Sequence, residues 1–432
     1  MKDFMALAER AWQGSLDTVF EHHPVHSAYD GAVEIFDNVL ALKGIACIYI
    51  LDTGDGLVML DAGSVLDVQR TFDEVRKWRP NTPLKLAILS HHHVDHIFAV
   101  PPFTAEAQKR GWPAPEVVAH CLTPDHFDRY KLTSGWNTVI NRRQFSINAP
   151  NFYWPTEYHY PDKTYTDSLE YQIGGLTFVL HHARGETDDH TWTWIPQRKI
   201  VMTGDLFIWA LPNAGNPQKV QRYVSDWAAN LRAMASLNPE ILLPGHGFPI
   251  LGVERIQQAL LETAVLLEGI ELQVLKGMNQ GKTLDAIYHA VEFPSELLKR
   301  PYLRPIYDHA HFLIRMVWRR YGGWWDSEYD TLLPAPKAEI AATWVDLAGG
   351  IESIIDRAER ELQENPEIAA HLIECAYHAA PENAAVHAAR AKIYRFRAAQ
   401  QMSSMARNIF NHAALSSDAG IRDLASSYPS QK

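Results

Sequence analysis

The sequence has little cysteine, no excess of positive charge and no long apolar run, and each absence excludes a class of protein. Three cysteines in 432 residues cannot supply a disulfide framework or a thiolate metal cage. Lys and Arg number 40 against 51 Asp and Glu, whereas nucleic acids and anionic membranes are bound by clustered positive charge. The apolar run at 45–51 is far shorter than the roughly 20 residues that span a bilayer. We therefore expect no nucleic-acid or membrane partner, and the cytoplasm as the compartment.

Aromatic residues and histidine, by contrast, are abundant. The 13 Trp, 17 Tyr and 16 Phe can build a large core, which excludes disorder, and the length fits two or three domains. Histidine is the commonest metal ligand in proteins, and fourteen of the 21 His lie before residue 250. A metal site is therefore expected in the first half of the chain.

Strand and helix signals alternate from about residue 30 to 250, and helix signals dominate afterwards. Apolar runs such as PLKLAILS, KIVMTGD and EILLPGH are typical of buried strands, and each ends in polar residues. Loops rich in His and Asp at strand ends predict a site along one edge of a sheet. Residues 101–170 are rich in Pro and aromatic residues, and a long irregular insertion of this kind usually shapes a binding site.

The stretch HHHVDH follows the run PLKLAILS directly and holds four potential metal ligands in six residues. His91 and His93 alternate and can share one ion, whereas Asp95 and His96 can turn towards a second ion. A solvated polar loop is the alternative interpretation. Four potential ligands directly after a buried strand favour a metal site instead, so the motif predicts a dinuclear centre.

This stretch resembles the HxHxDH signature of the metallo-β-lactamase superfamily, whose other ligands have counterparts here in the expected order. The resemblance implies that Asp205, in VMTGDLF, bridges two metals and that His246, in LLPGHG, binds the second metal. In ARGETDDHTW it assigns Glu186 to the first metal, as in alkylsulfatases. His190, four residues on, is a further ligand, a proton donor to the leaving group or a supporting residue. Asp61, in VMLDAG, matches the aspartate that orients a ligand histidine.

The second half resembles the dimerisation domain of alkylsulfatases, in RPYLRPIYDHAHFLIRMVWRRYGGWWD, LPAPKAEIAATWVDLAGG and RNIFNHAALSSD. The resemblance implies an α/β fold, an αββα sandwich followed by an all-α helical domain, and a homodimer. We place the catalytic domain at 1–260, with the insertion at about 101–170, and the dimerisation domain at 261–432. Alkylsulfatases usually continue into a sterol-carrier-like domain, which we do not expect in this chain.

Two departures from the alkylsulfatase pattern bear on the substrate. The arginine of a TLRGA-like sequence, which grips sulfate in that family, has no counterpart in FIWALPNAGNPQKVQRYVSDW. In that segment Lys219 and Arg222 can bind an anion instead, and Tyr223 is a further candidate substrate contact. The bridging acid is Asp205, where alkylsulfatases tend to have glutamate.

Irregular segments contribute further candidate substrate contacts. Arg142 and Arg143, in the insertion, can pair with an anionic head group or form a structural salt bridge. Tryptophans in such segments are candidate walls for the apolar part of a substrate: Trp136, Trp154 and Trp209.

The predicted activity is hydrolysis of an ester at a dinuclear metal centre, with Asp95 and His190 as candidate catalytic residues. Two divalent ions would lower the pKa of a bridging water, and the resulting hydroxide would attack the substrate. Zinc is the first choice, and Mn²⁺ or Fe is the alternative because three ligands are carboxylates. The substrate predicted is a small molecule with an apolar alkyl or aryl part, and a sulfate ester is one candidate. A lactone, carboxylic ester, thioester or β-lactam is the alternative at the same site, followed by a non-catalytic or redox use of the fold.

Overall fold

A computed structural model describes residues 4–428, which divide into two compact units. Unit 1 comprises the chain up to Leu132 and Pro155–Gly323, and unit 2 comprises Thr133–Trp154 and the chain from Trp324 onwards. By compactness, therefore, the helices up to Gly323 belong with the sheets, and only 133–154 of the insertion belongs to unit 2. The boundary at 260 and the insertion at 101–170 remain predictions about family domains.

The first sheet of unit 1 has seven strands in the order of the sequence. Neighbours among the first four strands are antiparallel, and each pair from the fourth to the seventh is parallel. The turn at 53–56 closes the hairpin between the third and fourth strands, where Thr53 N donates to Gly56 O at 3.1 Å. The strands are β1 (Ala32–Phe36), β2 (Val39–Lys43), β3 (Cys47–Asp52), β4 (Leu57–Leu60), β5 (Leu84–Ile88), β6 (Glu116–His120) and β7 (Lys163–Tyr165).

The second sheet has six strands, and they are also neighbours in the order of the sequence. One pair in it, the fourth and fifth strands, is parallel, and the other neighbours are antiparallel. The strands are β8 (Ser168–Ile173), β9 (Leu176–Ala183), β10 (His190–Ile195), β11 (Ile200–Gly204), β12 (Ile241–Pro244) and β13 (Ile250–Leu251).

Helices of unit 1 pack against both sheets. Successive side chains of a strand point to opposite faces, and β3 shows the consequence. Tyr49 belongs to the core shared with the second sheet, whereas Ile48 and Ile50 belong to a separate core with residues of the flanking helices. The αββα sandwich predicted from the sequence is confirmed. The helices are α1 (Phe4–Trp12), α2 (Val68–Trp78), α3 (Pro101–Arg110), α4 (Thr123–Leu132), α6 (Val224–Ser236), α7 (Val253–Asn279), α8 (Leu284–Ala290), α9 (Ser295–Leu298) and α10 (Ala310–Gly322).

Helix α7 explains why unit 1 extends past residue 260. Along its 27 residues it buries Leu260, Leu267 and Val274 in the same hydrophobic cluster as residues of both sheets, and α6 and α10 pack against it. Despite the length of α7, no helix among residues 4–428 is both long enough and apolar enough to cross a membrane.

Unit 2 is all helical, as the sequence predicted for the second half, and it has its own core. Ile354, Ile373 and Ile393 are among the buried residues of that core. Helix α5, from the insertion, packs against α16 and α17. The helices are α5 (Ser134–Phe145), α11 (Tyr329–Leu332), α12 (Lys337–Leu347), α13 (Ile351–Glu361), α14 (Pro366–Ala379), α15 (Ala384–Ala399), α16 (Ser404–Asp418) and α17 (Leu424–Ser427).

Two arginines of the insertion have structural partners within unit 2. Arg142 is buried and donates to the carbonyl oxygens of Ala425, Pro150 and Phe152 at 3.2, 3.0 and 2.9 Å. Arg143 donates two hydrogen bonds to the carboxylate of Asp423, at 3.2 and 2.6 Å. Of the two roles that the sequence left open, the structure supports the structural one.

Asp423 is expected to stabilise unit 2 through these contacts, and we predict that Asp423→Asn weakens it. Burial raises the pKa of Asp423, but hydrogen bonds from His412 and Arg143 outweigh this and hold the pKa well below its usual value. A depressed folded-state pKa means that the stabilisation is present above the unfolded pKa of about 3.9 and is lost as the pH falls through the folded value. We expect a loss of about 1–2 kcal/mol at pH 7, measured by hydrogen exchange of the α16 and α17 amides.

The exposed ion pair between Arg395 and Asp418 provides a matched control. Arg395→Ala should change the same exchange by less than about 0.5 kcal/mol, because exposed ion pairs contribute little. Equal effects of the two substitutions would contradict the assigned role of Asp423.

Candidate metal centre

The seven side chains that the sequence predicts as metal ligands lie together in unit 1, at the ends of strands. The loop after β5 carries four of them, and the loops after β9, β11 and β12 carry one each. They lie in two groups of potential donors, and within each group the donor atoms are all within 4.8 Å of one another. The first group is His91, His93, Glu186 and Asp205, and the second is Asp95, His96 and His246.

In the first group two imidazoles face two carboxylates. His91 Nε2 lies 2.8 Å from His93 Nδ1 and 4.0 Å from Asp205 Oδ2. His93 Nδ1 also lies 3.7 Å from Glu186 Oε1. Two imidazole nitrogens and two carboxylates form a donor set that suits a divalent transition metal.

The second group is built around Asp95, whose Oδ2 lies 3.7 Å from His96 Nε2 and 3.5 Å from His246 Nε2. Asp205 contacts this group as well. Its Oδ1 lies 3.3 Å from His96 Nε2, and its Oδ2 lies 3.3 Å from His246 Nε2. The carboxylate of Asp205 therefore lies within reach of both groups.

Buried polar atoms without a hydrogen bond support the fit to metal ions. His96 Nε2, Glu186 Oε2 and Asp205 Oδ1 are all buried and have no hydrogen-bond partner among the described residues. A buried polar atom left unpaired costs about 1–3 kcal/mol, so such atoms are rare in proteins. Here they converge on one place, and divalent cations are the partners that this donor set fits.

The pKa shifts at the centre separate the histidines into two kinds. Burial lowers the pKa of His91 and His93 well below the usual value, so both rings are neutral, as metal ligation requires. Burial also opposes the charged form of His96 and His246, but Asp205 outweighs it and raises both pKa values. Burial, opposed by Arg222, raises the pKa of Glu186 to about 8. The carboxylates of the centre are thus buried close to one another, and bound cations would stabilise their ionised forms.

Asp61 connects two of the ligand histidines through hydrogen bonds. Its backbone is left-handed, with φ 58°, and its side chain is fully buried. Asp61 Oδ2 accepts from His96 Nδ1 at 2.7 Å and from Ser90 Oγ at 2.9 Å. Since Ser90 Oγ donates to Asp61, it accepts from His91 Nδ1 at 2.9 Å. Both histidines therefore carry a proton on Nδ1, which leaves Nε2 as the nitrogen that faces the donor groups.

His246 is held in the same way by a backbone carbonyl. Its Nδ1 donates to Ile45 O at 2.8 Å, so its Nε2 lone pair also faces the centre. Ile45 belongs to the turn between β2 and β3, which Cys47 N ties to the same loop by donating to Gly245 O at 2.7 Å. The β2–β3 hairpin of the first sheet thus orients His246, which follows a strand of the second sheet.

His190 lies behind the first group. Its ring stacks on His91, with centroids 4.6 Å apart, and its Nε2 donates to Thr203 O at 3.2 Å. The ring is fully buried and belongs to neither group of donors. Of the roles left open by the sequence, these contacts favour support of His91.

Glu186 is held by contacts from Arg222 and Asn213. Arg222 Nη1 lies 2.5 Å from Glu186 Oε1, and Asn213 Nδ2 donates to the same oxygen at 2.5 Å. Tyr223 lies next to the guanidinium groups of Arg184 and Arg320, 5.3 and 4.8 Å from its ring centroid. Glu186 Oε1 is thereby occupied, which leaves Oε2 for a metal.

The three tryptophans predicted as pocket walls lie in different surroundings. Trp209 is a core residue, since its side chain is 1% exposed and its Nε1 donates to Phe248 O at 2.6 Å. The structure does not support Trp209 as a substrate contact, because its neighbours pack it from all sides. Trp136, which is exposed, and Trp154, which is buried, belong to unit 2, and as substrate contacts they remain predictions.

A further cluster, which includes His92 of the HHHVDH loop and Asp189, lies beside the two donor groups. His92 Nδ1 bonds Asp189 Oδ1 at 2.9 Å, and the backbone N–H of His92 donates to the other carboxylate oxygen at 3.0 Å. Thr123 Oγ1 donates to Asp189 at 2.8 Å, and Arg129 Nη2 donates to His92 Nε2 at 3.0 Å. His126 completes a set of potential metal donors with His92 and Asp189, but the guanidinium already occupies His92 Nε2. The cluster therefore holds the loop in place, the role that the DDH and HHH runs suggest for Asp189 and His92.

Two family models match the chain. One, described as "Metallo-beta-lactamase superfamily", matches residues 43–246, and the other, described as "Alkyl sulfatase dimerisation", matches residues 283–420. Together they confirm the predicted resemblance to both domains.

The chain is also similar to curated alkylsulfatases. It is 25% identical over 330 residues to a linear primary-alkylsulfatase of Pseudomonas sp., covering 71% of this chain and 61% of that protein. It is 22% identical over 362 residues to the alkyl/aryl-sulfatase BDS1 of Saccharomyces cerevisiae, covering 78% of this chain and 56% of that protein. The chain thus spans less than two thirds of the length of these relatives.

A solved structure shares the fold over most of the chain. The stereoselective inverting sec-alkylsulfatase Pisa1 of Pseudomonas sp. superimposes with a TM-score of 0.82 at 21% identity, covering 91% of this chain and 66% of that one. At this level of identity the likeness establishes the fold.

The two groups of donors predict that each metal can be lost separately. We expect His246→Ala to lower the metal content of the purified protein from about two divalent ions per chain to about one, because the second group then keeps only Asp95, His96 and the shared Asp205. The measurement is metal quantification by plasma mass spectrometry. Asp55→Asn, in an exposed hairpin turn, should leave the metal content unchanged, and a full complement in His246→Ala would contradict the assignment.

Proposed function

We propose that this chain, a member of the metallo-β-lactamase superfamily with an alkylsulfatase-type dimerisation domain, is a metal-dependent hydrolase of sulfate esters. The observation that carries the proposal is the pair of donor groups that share Asp205. The similarity to alkylsulfatases supports the choice of ester, because it extends through both halves of the chain.

The proposed metal ligands divide by group. His91, His93 and Glu186 would hold the first ion, and Asp95, His96 and His246 would hold the second, with Asp205 within reach of both. Two divalent ions at this place would supply Lewis acidity and a water of lowered pKa. Zinc suits the histidines, and Mn²⁺ or Fe is the alternative because three of the ligands are carboxylates.

The chain's own acid and base groups have distinct roles in this proposal. Asp95 is 21% exposed, more than Glu186 or Asp205, so among the acids of the centre it is best placed to exchange a proton with water or substrate. His190 acts through His91, on which it stacks, and is therefore a positioning residue. Arg222 holds Glu186 in place.

A neutral ester, lactone, thioester or β-lactam is the second candidate substrate class. The observation that favours it is the bond between Arg222 and Glu186, which takes one of the cations of the predicted anion-binding segment away from any substrate. A purely non-catalytic use of the fold is not favoured, since each donor group keeps all the ligands that the sequence predicts.

The release of inorganic sulfate separates these candidates. We expect metal-quantified protein to release sulfate from primary or secondary alkyl sulfates below their micelle concentrations, because the centre can supply both a water of lowered pKa and a Lewis acid for the leaving oxygen. Sulfate is measured by ion chromatography, alongside carboxylic esters, lactones and a β-lactam. Asp205→Ala should lose metal and at least about 100-fold in activity; sulfate release that survives without bound metal would refute the proposal.

The homodimer belongs to the same proposal. In unit 2, α12 presents Ile340, Trp344 and Leu347, four and three residues apart and hence on one face, with Trp344 59% and Leu347 72% exposed. Tyr329 and Leu333, from α11 and the residue after it, are exposed nearby in sequence. Contiguous exposed apolar residues mark interaction surfaces, and this segment lies inside the region that matches the dimerisation model. We infer that a second copy of the chain covers it.

Removing the apolar character of α12 should therefore separate the copies. We expect Trp344→Glu or Leu347→Glu to shift the mass in solution from two chains to one, because a carboxylate at the centre of an apolar interface is left without a partner. Light scattering after size exclusion measures the mass. Leu272→Glu, at an exposed position of α7, is the matched control and should leave the mass at two chains. A dimer in both α12 variants would place the interface elsewhere.

A further inference from the structure

Glu186 is held in place by the loop that joins β11 to α6, residues 205–223. Asn213 Nδ2 donates to Glu186 Oε1 at 2.5 Å, and Arg222 Nη1 lies 2.5 Å from the same oxygen. Arg222 also donates to Asn213 O at 3.2 Å, so the two residues that hold Glu186 are bonded to each other. A contact that fixes this loop therefore also fixes a proposed ligand of the first ion.

Two residues after Asn213, a buried carboxylate ties the loop to the start of α10. Asp308 is fully buried. Its Oδ2 accepts from the N–H of Gly215 at 2.7 Å, and its Oδ1 accepts from the N–H of His309, the residue before α10, at 2.8 Å. Among residues 4–428 Asp308 forms no ion pair, so these two hydrogen bonds account for a buried carboxylate at this position.

The backbone of the loop touches the first turn of α10 at Gly215. A Cβ at this position would lie 2.5 Å from Leu313 N and 2.6 Å from the Cβ of Phe312. Atoms in favourable van der Waals contact are about 3.5–4.0 Å apart, so even a methyl group would push the loop away from the helix. Glycine at 215 therefore permits the hydrogen bond to Asp308.

A second contact fixes the other end of the loop to the same helix. Gln221, the residue before Arg222, donates from Nε2 to Met316 O at 3.0 Å. Helix α10 packs against α7, and its Leu313 and Val317 are buried in the same hydrophobic cluster as residues of both sheets. The loop is therefore held by a helix that is itself fixed to the sheets.

We propose that Asp308 is a positioning residue for the first metal site, which acts through Gly215 and Asn213 on Glu186. Asp308 fixes the backbone at Gly215, and the neighbouring Asn213 occupies Oε1 of Glu186 and leaves Oε2 for the ion. The segment that matches the dimerisation model would thus support a ligand in the segment that matches the superfamily model. The inference deepens the proposed function, on which it rests for the presence of two ions.

The test measures the affinity of each ion separately. His246→Ala should keep the first ion and His93→Ala the second, so a zinc titration of each variant reports one site. We expect Asp308→Ala, added to His246→Ala, to weaken zinc binding about tenfold, the lower end of the effect of a residue that orients a metal ligand. Added to His93→Ala, the same substitution should change the affinity by less than about twofold.

The titrations use competition with a chelating dye at pH 8. Burial raises the pKa of Asp308 to about 7, so at pH 8 its carboxylate is ionised and both oxygens accept hydrogen bonds. Gly215→Ala is the second variant, since it separates the loop from α10 and leaves Asp308 unchanged. It should weaken the first ion about as much as Asp308→Ala does.

Asp162→Ala is the matched control. Asp162 also accepts a hydrogen bond from a distant backbone N–H, that of Val117 at 2.8 Å, but it does so at the start of β6, whereas the metal ligands follow the ends of strands. Added to His246→Ala, Asp162→Ala should leave the zinc affinity unchanged.

Hydrogen exchange provides a measurement that needs no metal. In the metal-free protein, the amide of Gly215 should exchange at least about tenfold faster in Asp308→Ala, because it loses a hydrogen bond to a charged group. Unchanged exchange would show that the contact does not hold the loop and would overturn the inference.

The outcomes separate the inference from the proposed function. Unchanged affinity for the first ion in both Asp308→Ala and Gly215→Ala would overturn the inference and leave the function standing, and so would equal weakening of both ions, which indicates general damage. Selective weakening of the first ion, without release of sulfate from any ester, would uphold the role of Asp308 and overturn the function.

Discussion

The carboxylate of Asp205 is the contact on which the rest of the centre depends. It lies at the end of β11 and belongs to the first donor group with His91. Its two oxygens also reach His96 and His246 of the second group, so it joins the two groups. The approach is so close that a Cβ at Gly245 would lie 2.2 Å from Asp205 Oδ1. Glycine is thus the residue that can occupy this position, and the parallel pairing of β11 with β12 brings it there.

Hydrogen bonds behind the ligands organise the centre as much as the ligands do. Asp61 and Ser90 set the protonated nitrogens of His96 and His91, and Asp189 holds His92 by both ring and backbone. Each of these acids is buried and satisfied, so the loop after β5 has little freedom to rearrange. Such an arrangement lets a short loop hold donors at the spacing that two ions require.

Much of the fold and the HHHVDH part of the centre could be predicted from local patterns, whereas Glu186, Asp205 and His246 were predicted from the resemblance to the superfamily. The spacing within HHHVDH places alternate side chains on one side of a loop, and the strands around it show as short apolar runs that end in polar residues. Trp209 illustrates the limit of such reasoning. Because Trp209 lies in an irregular segment, the sequence suggested that it lines a pocket. In the structure its indole N–H donates to the carbonyl oxygen of Phe248, 39 residues away in sequence, within the core. Likewise, the sequence pattern placed most of α7 in the helical half, whereas the apolar face of α7 is buried together with residues of the sheets.

The sequence by itself determined which residue types could bind metal, and in what order along the chain, because ligand chemistry and local spacing are properties of short segments. Only the tertiary structure decided how the remaining charges are used. Arg222 pairs with Glu186 from 36 residues away, His92 pairs with Asp189 from 97 residues away, and Lys219 is left without a partner among the described residues. Pairing and desolvation depend on neighbours that are distant in sequence, and they decide whether a cation stabilises the protein or remains available for an anion.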